Sequence, residues 1–274
     1  MRRKTLKGAV SAKGIALHSG LECSVSFNPA DEGSGIVFVR SDLPNRARIR
    51  ALAKNVSDTS RGTTLKENGA AIAVIEHIMA AVYCLGISDI EIDVNCGEPP
   101  AFDGSALPIF SLLKGAGTAL LSKEYMPLRP VSEIVLQEGA GLIRACPSDR
   151  LRIGFMVDFP GTVVGRQEIS VEVDEKTFEQ EIAPARTFGF TEEIESLKRS
   201  GLALGATLDN ALAISSEGYV NKPRFRNEVV RHKVLDIIGD LALVGRPVHA
   251  DIIAERSGHK LNTLLALRLS KEAK

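Results

Sequence analysis

Apolar and polar positions alternate strictly over Leu21-Glu22-Cys23-Ser24-Val25-Ser26-Phe27 and stop at Asn28-Pro29. A period of two puts successive side chains on opposite faces, so this stretch predicts a half-buried strand. Gly35-Ile36-Val37-Phe38-Val39-Arg40 predicts a second strand, closed by Ser41-Asp42-Leu43-Pro44. The period then changes. Ile75, Ile78, Met79, Val82 and Leu85 recur at three and four residues, which predicts a helix over Ile72–Leu85 with Gly86 as its stop. Ile90-Glu91-Ile92-Asp93-Val94 returns to alternation, and Ser105–Leu121 predicts a helix with Pro108 in its first turn.

Between Leu121 and Pro130 the pattern resets, and two domains are expected, 1–122 and 127–274. Strands are predicted at Glu133–Leu136, Gly141–Ala145, Leu151–Asp158 and Glu168–Val173. A long helix follows from about Glu228 to Val244, ended by Gly245 and Pro247, and Val248–Ala254 predicts another strand. Each half therefore runs from strands to a histidine-bearing helix, a glycine and a strand, which is a weak internal repeat.

Composition narrows the function classes. Lys+Arg and Asp+Glu balance at 34 each, which argues against a polybasic nucleic-acid surface and against an acidic solvating chain. Aromatic residues make only 5% of the chain and Trp is absent, so no base-stacking platform is expected. The basic start, Met1–Gly8, is followed by no long apolar run, so no signal peptide is expected. Ala70–Ser88 is the most apolar segment, but Glu76 and His77 in its middle make it a poor membrane span. Cys23, Cys84, Cys96 and Cys146 form no C-x-x-C pair, which fits a reducing cytoplasm and neither a disulfide framework nor a zinc finger.

Candidate chemistry concentrates on the histidines. His232 and Asp236 stand four apart on a predicted helix and project from one face, as two ligands of one metal ion do; Asp240 lies a turn further along. The alternative is a solvated amphipathic face. Glu76-His77 sits in an apolar helix, where a carboxylate is costly unless it is paired or lines a cavity. It reads either as a ligand beside a general base or as an exposed face. Ser257-Gly258-His259 follows a strand on an expected turn, and His259 there is an acid catalyst or a loop residue. Thr187, within Ala185-Arg186-Thr187-Phe188-Gly189-Phe190, is an oxyanion donor or part of a core-edge turn. Asp103 or Ser105 is expected as a helix cap. A serine-hydrolase elbow, a Walker A loop, a dinucleotide fingerprint and H-E-x-x-H are all missing. What remains is a mixed histidine and carboxylate site without thiolate, and two histidines with one carboxylate are a catalytic zinc set.

Taken together, six segments resemble one family, the zinc-dependent UDP-3-O-acyl-N-acetylglucosamine deacetylases of bacterial lipid A synthesis. They are Gly14–Gly20, Ile75–Ala81, Glu98–Ser105, Ala185–Phe190, His232–Asp240 and Ser257–Asn262, in the family's order and nearly end to end. The resemblance implies an α+β fold of two similar sheet-plus-helix domains, with helical layers facing each other and the active site between them. It implies zinc on His77, His232 and Asp236, with Glu76 as the base that deprotonates water. His259, paired with Asp240, would stay protonated, and Thr187 would stabilise the oxyanion. Lys233 and Phe188 would line the substrate pocket, and Leu202, Asp209 and their neighbours through Asn210 would border the acyl-chain passage. The implied substrate is an acylated nucleotide-sugar, in the cytoplasm, with no nucleic acid, transmembrane segment or obligate protein partner. The chain departs from the family pattern at Gly139-Ala140-Gly141, where a lysine is common, and at Asp158-Phe159-Pro160-Gly161, which is shorter and lacks a histidine. Arg144 or Arg166 is expected to supply the missing charge to the nucleotide diphosphate. A different acylated amino-sugar, or a non-catalytic acyl-sugar-binding role, are the alternative readings.

Overall fold

The computed structural model describes residues 1–272, and the last two residues of the expected second half lie outside the described residues. The first half opens with β1 (Arg2–Leu6), β2 (Val10–Ile15), β3 (Glu22–Pro29), β4 (Ile36–Arg40) and β5 (Ala47–Arg50). A small meander follows, β6 (Val56–Asp58), β7 (Thr64–Glu67) and β8 (Ala70–Ile72), then α1 (Glu76–Cys84), β9 (Ile90–Val94), α2 (Leu107–Ala116) and β10 (Thr118–Glu124). The second half has β11 (Ile134–Glu138), β12 (Gly141–Pro147), β13 (Arg152–Phe159), β14 (Gly165–Glu172) and a single turn, α3 (Glu175–Thr177). It continues with β15 (Phe188–Phe190), α4 (Thr191–Arg199), β16 (Leu212–Ser215), β17 (Gly218–Tyr219), α5 (Glu228–Leu241), β18 (Ala250–Glu255) and α6 (His259–Glu272).

The repeat read from the pattern is a repeat of topology. One five-stranded sheet has the order β2-β3-β9-β4-β5 and the other β11-β12-β18-β13-β14. In each, two hairpins flank a last strand that pairs antiparallel on one side and parallel on the other. That strand follows a helix, α1 before β9 and α5 before β18. Alternation buries Cys23, Val25 and Phe27 on β3 and Ile153, Phe155 and Val157 on β13. Those faces meet the helices, so the fold is α+β with two sheet-plus-helix units whose helices pack together.

Several expected boundaries shift. The helix predicted from Ile72 begins only at Glu76, because Asn68 (φ 53°) and Gly69 (φ 80°) turn the chain and pair Ala70–Ile72 with Leu65–Glu67. A short apolar run fits either element, and the hairpin takes it. Gly86 (φ 67°) stops α1 as expected. The helix expected to reach Leu121 ends at Gly117 (φ 71°), and Thr118–Glu124 pairs instead with β1. Asn28 and Pro29 extend β3, paired with Glu91 and Ile90, where a stop was expected.

The contact that builds the site is the crossing of α1 and α5. A Cβ on Gly239 would stand 2.2 Å from the backbone oxygen of Glu76, so only glycine allows this approach. Gly239→Ala is expected to push the helices apart and destabilise the fold by about 1–3 kcal/mol. Thermal unfolding of the purified variant checks this, and an unchanged midpoint would contradict it.

Candidate metal and catalytic centre

The histidine and two aspartates of α5 are not on a solvated face. His232, Asp236 and Asp240 are 4%, 2% and 0% exposed, and they form one stripe turned towards the first half. Glu76 begins α1 and is 4% exposed, so the exposed-face alternative fails there too. Spacing on each helix puts the groups in line, and the Gly239 crossing brings the lines together.

Ligand atoms of His77, His232 and Asp236 all lie within 4.8 Å of one another. The tautomer of His232 is set by its surroundings. Its Nδ1 is 3.2 Å from the carbonyl oxygen of Ala185, which can only accept, so Nδ1 carries the proton and Nε2 presents a lone pair. Nε2 faces Asp236 Oδ1 at 3.4 Å. That oxygen is buried and has no hydrogen-bond partner, while Oδ2 accepts from Lys233 Nζ at 2.8 Å. Burial pushes the His77 imidazole down to about 3, helped by His232, and lowers His232 as well, so both rings are neutral at pH 7. Burial opposes ionisation of Asp236, but Lys233, His232 and His259 outweigh it and hold the carboxyl well below its usual range. Two neutral imidazoles and an orphaned carboxylate oxygen converging in a buried space fit a divalent cation.

Glu76 stands beside this group. Its Oε2 accepts from the backbone N–H of Thr63 at 3.0 Å, and its Oε1 is 3.9 Å from His259 Nε2. Burial raises its pKa to about 7, with Asp236 and Asp240 adding and His259 opposing. A carboxylate with that value is poised to exchange a proton at neutral pH. His259 is the first residue of α6 rather than a turn residue. Its Nδ1 lies 2.9 Å from Asp240 Oδ2, and its Nε2 is 3.8 Å from Asp236 Oδ2. Burial lowers the imidazole pKa, but Asp240, Asp236 and Glu76 overcome this and raise it to about 10.

Thr187 lines a small cavity together with His77, Glu98 and Gly104, and its backbone N–H donates to Gly104 oxygen at 2.7 Å. Phe188 packs edge-on to His232 with centroids 6.2 Å apart, and Lys233 Nζ lies 5.6 Å over the Phe188 ring. Leu202 is half-buried and Asp209 exposed on the loop after α4. That loop is tied back by Ala203 N–H, which donates to His18 Nδ1 at 3.3 Å, and His18 Nε2 reaches Arg61 oxygen at 3.2 Å. Arg144 and Arg166 do not reach the site. They project from the sheet face away from α5, beside Glu133 and Glu168, because the inward positions of β12 and β14 are their odd-numbered residues. The cations that flank His259 are Arg256, paired with Asp158, and Lys260, paired with Glu138. Neither Asp103 nor Ser105 is the helix cap that was expected: Ala106 holds the N-cap position of α2 without a side-chain bond, and Asp103 instead closes the preceding turn, accepting from Ser105 N–H and Oγ at 3.1 and 2.8 Å.

The sequence pattern gives no sign of a buried ion pair next to Thr187. Arg186 Nε donates to Glu228 Oε1 at 2.9 Å, and Glu228 also accepts from the backbone N–H groups of Arg186 and Arg224. Glu228 is one helical turn before His232, so this pair holds the Ala185–Thr187 segment against the metal-ligand stripe. An N-terminal helix glutamate gives no sequence signal of that role. Chemically, the site joins a cation-binding set, a buried carboxylate near neutrality and an imidazolium, which are the parts of metal-assisted hydrolysis.

Comparison with known sequences agrees with this geometry. Residues 3–271 match the sequence model of UDP-3-O-acyl N-acetylglycosamine deacetylase. A UDP-3-O-acyl-N-acetylglucosamine deacetylase of Geotalea uraniireducens is 43% identical over 95% of this chain and 85% of its own length. Proteins of the same name from Syntrophus aciditrophicus and Sulfurimonas denitrificans are each 38% identical, over 98% and 100% of this chain and 86% and 93% of their own. The chain belongs to the UDP-3-O-acyl N-acetylglycosamine deacetylase family, and the relatives it matches are named deacetylases. Among the described residues, no helix is long and apolar enough to cross a membrane.

Proposed function

We propose that this protein is a zinc-dependent deacetylase that removes the N-acetyl group from UDP-3-O-acyl-N-acetylglucosamine, in lipid A synthesis in the cytoplasm. The observation that carries this reading is the buried, partnerless Asp236 Oδ1 facing the Nε2 lone pair of His232, with His77 beside them and Glu76 next in line. His77, His232 and Asp236 would hold the zinc. Zinc in such a set supplies Lewis acidity, polarising a carbonyl and acidifying water to a pKa of about 7.

The chain's own residues then divide the work. Glu76, through Oε1, takes a proton from the attacking water as its oxygen bonds to the acetyl carbon. Thr187 donates to the oxyanion that the former carbonyl oxygen becomes. The C–N bond breaks as the amine receives a proton from Glu76 or His259, leaving acetate and a free amino-sugar. Lys233 and Phe188 line the sugar side, and the loop carrying Leu202 and Asp209 borders the acyl chain. We assign the diphosphate contact to Arg256 and Lys260 in place of Arg144 and Arg166. We also read the halves 1–122 and 127–274 as the units that contribute one wall each. Deacetylation assays on UDP-3-O-acyl-N-acetylglucosamine of several acyl lengths test the proposal, and no release of acetate from any of them would refute it.

The raised pKa of His259 gives a signed expectation. Glu76 must be ionised, so activity falls on the acid side below about 7. His259 must be protonated, so activity falls again as pH passes its value of about 10. Asp240 is the largest group raising that value. Asp240→Asn is therefore expected to move the alkaline limb to lower pH and to lower the plateau, read as a pH–rate profile at matched metal content. A limb that stays put would assign the alkaline titration to another group.

A further inference from the structure

The buried polar groups around Asp240 include one that no step above uses. Thr63, from the first half, is fully buried, between the Ser60-Arg61-Gly62 turn and β7. Its backbone N–H donates to Glu76 Oε2 at 3.0 Å, and its hydroxyl lies 2.5 Å from Asp240 Oδ1. A carboxylate oxygen only accepts, so the hydroxyl is the donor. Its lone pair faces His259 Nδ1 at 3.3 Å. One residue thus touches the base, the histidine and the carboxylate that holds the histidine.

The accounting at Asp240 is complete with Thr63 and incomplete without it. Oδ2 accepts from His259 Nδ1 at 2.9 Å and from Asn262 Nδ2 at 3.0 Å. Asn262 is itself fixed, since its Oδ1 accepts from Ser257 Oγ at 2.8 Å. Oδ1 has the Thr63 hydroxyl. With Oδ1 anchored, the carboxylate cannot rotate about its Cβ–Cγ bond, and Oδ2 stays aimed at the imidazole. Gly62 makes the arrangement fit: its φ is 155°, and a Cβ there would stand 3.1 Å from Glu76 Oε1. A larger residue at this position would therefore crowd Glu76 Oε1, while the Thr63 N–H holds Oε2.

We propose that Thr63 is a positioning residue for both proton-handling groups, its N–H setting Glu76 and its hydroxyl setting Asp240 and, through it, His259. This rests on the deacetylase reading above. It also means that the acid and base, which sit on different halves of the chain, are registered to each other through one residue of the first half, by its backbone N–H on one side and its hydroxyl on the other.

Thr63→Val keeps the shape and the N–H but deletes the hydroxyl, and Thr63→Ser restores it. The full chain and its variants are compared in deacetylation kinetics, unfolding midpoint and proton NMR of the His259 Nδ1–H, identified by its loss in His259→Gln. Thr63→Val is expected to lower kcat about tenfold and to leave KM within about twofold, since a buried charged acceptor loses its donor. Thr63→Ser should recover most of kcat. In an Asp240→Asn background, Thr63→Val should cost less than about twofold further, because both changes break one interaction. Parental kcat in Thr63→Val, no recovery in Thr63→Ser, or the full loss in the Asp240→Asn background would each overturn the inference. Should the valine variant not fold, Thr63→Ala removes the same hydroxyl and is read the same way. A parent without deacetylase activity would overturn the functional reading instead. The NMR signal still decides the positioning role in that case: displaced or broadened in Thr63→Val and kept in Thr63→Ser if it holds, unchanged throughout if it does not.

Discussion

Glu76→Ala is expected to keep its metal and to lose about 10²–10⁴-fold in turnover, the usual contribution of a positioned general base. The geometry gives the reason for both halves of that result. Glu76 is not in the set whose ligand atoms lie within 4.8 Å of one another, so removing its carboxyl leaves His77, His232 and Asp236 intact. Its carboxyl is held near neutrality by burial, which no exposed carboxylate on α1 would show. Metal analysis and single-turnover rates on the same preparation check the pair of statements. Near-parental turnover with metal in place would exclude Glu76 as the base. Glu76→Gln is the stricter form, since the amide keeps the volume and an oxygen to accept from Thr63 N–H.

Much of this site is legible in the sequence, but unevenly. The four-residue spacing of His232, Asp236 and Asp240 is a property of one helix, and α5 carries it as read. Glu76-His77 was visible as a charged interruption of an apolar run, although the helix around it is shorter than the periodicity predicts. The convergence of the two helices was not visible in any spacing. It depends on a glycine, Gly239, whose need appears only when α1 lies across it. The assignment of roles came from the ordered resemblance of six segments and not from the pattern. Thr63 and the Arg186–Glu228 pair escaped because their partners are distant in sequence, 177 residues for Thr63 to Asp240 and 42 for Arg186 to Glu228. α6 escaped for a different reason. Ser257-Gly258 reads as a turn, and His259 sits where that turn becomes the first residue of a helix.

His232→Ala is expected to strip the centre of metal, lowering affinity by at least about 10–100-fold, the loss seen when only an outer partner of a ligand is removed. Three features make this the most damaging single change at the site. It removes one of three converging ligands. It leaves Asp236 Oδ1, already without a hydrogen-bond partner, facing an empty space where Nε2 stood 3.4 Å away. It also frees the Ala185 carbonyl that fixed the imidazole, loosening the segment that presents Thr187. The contrast with Glu76→Ala is diagnostic, because one variant should lose activity with metal and the other without it. Metal content after dialysis, measured beside the unfolding midpoint, separates loss of ligand from loss of fold. Parental metal content in a folded His232→Ala protein would remove His232 from the ligand set.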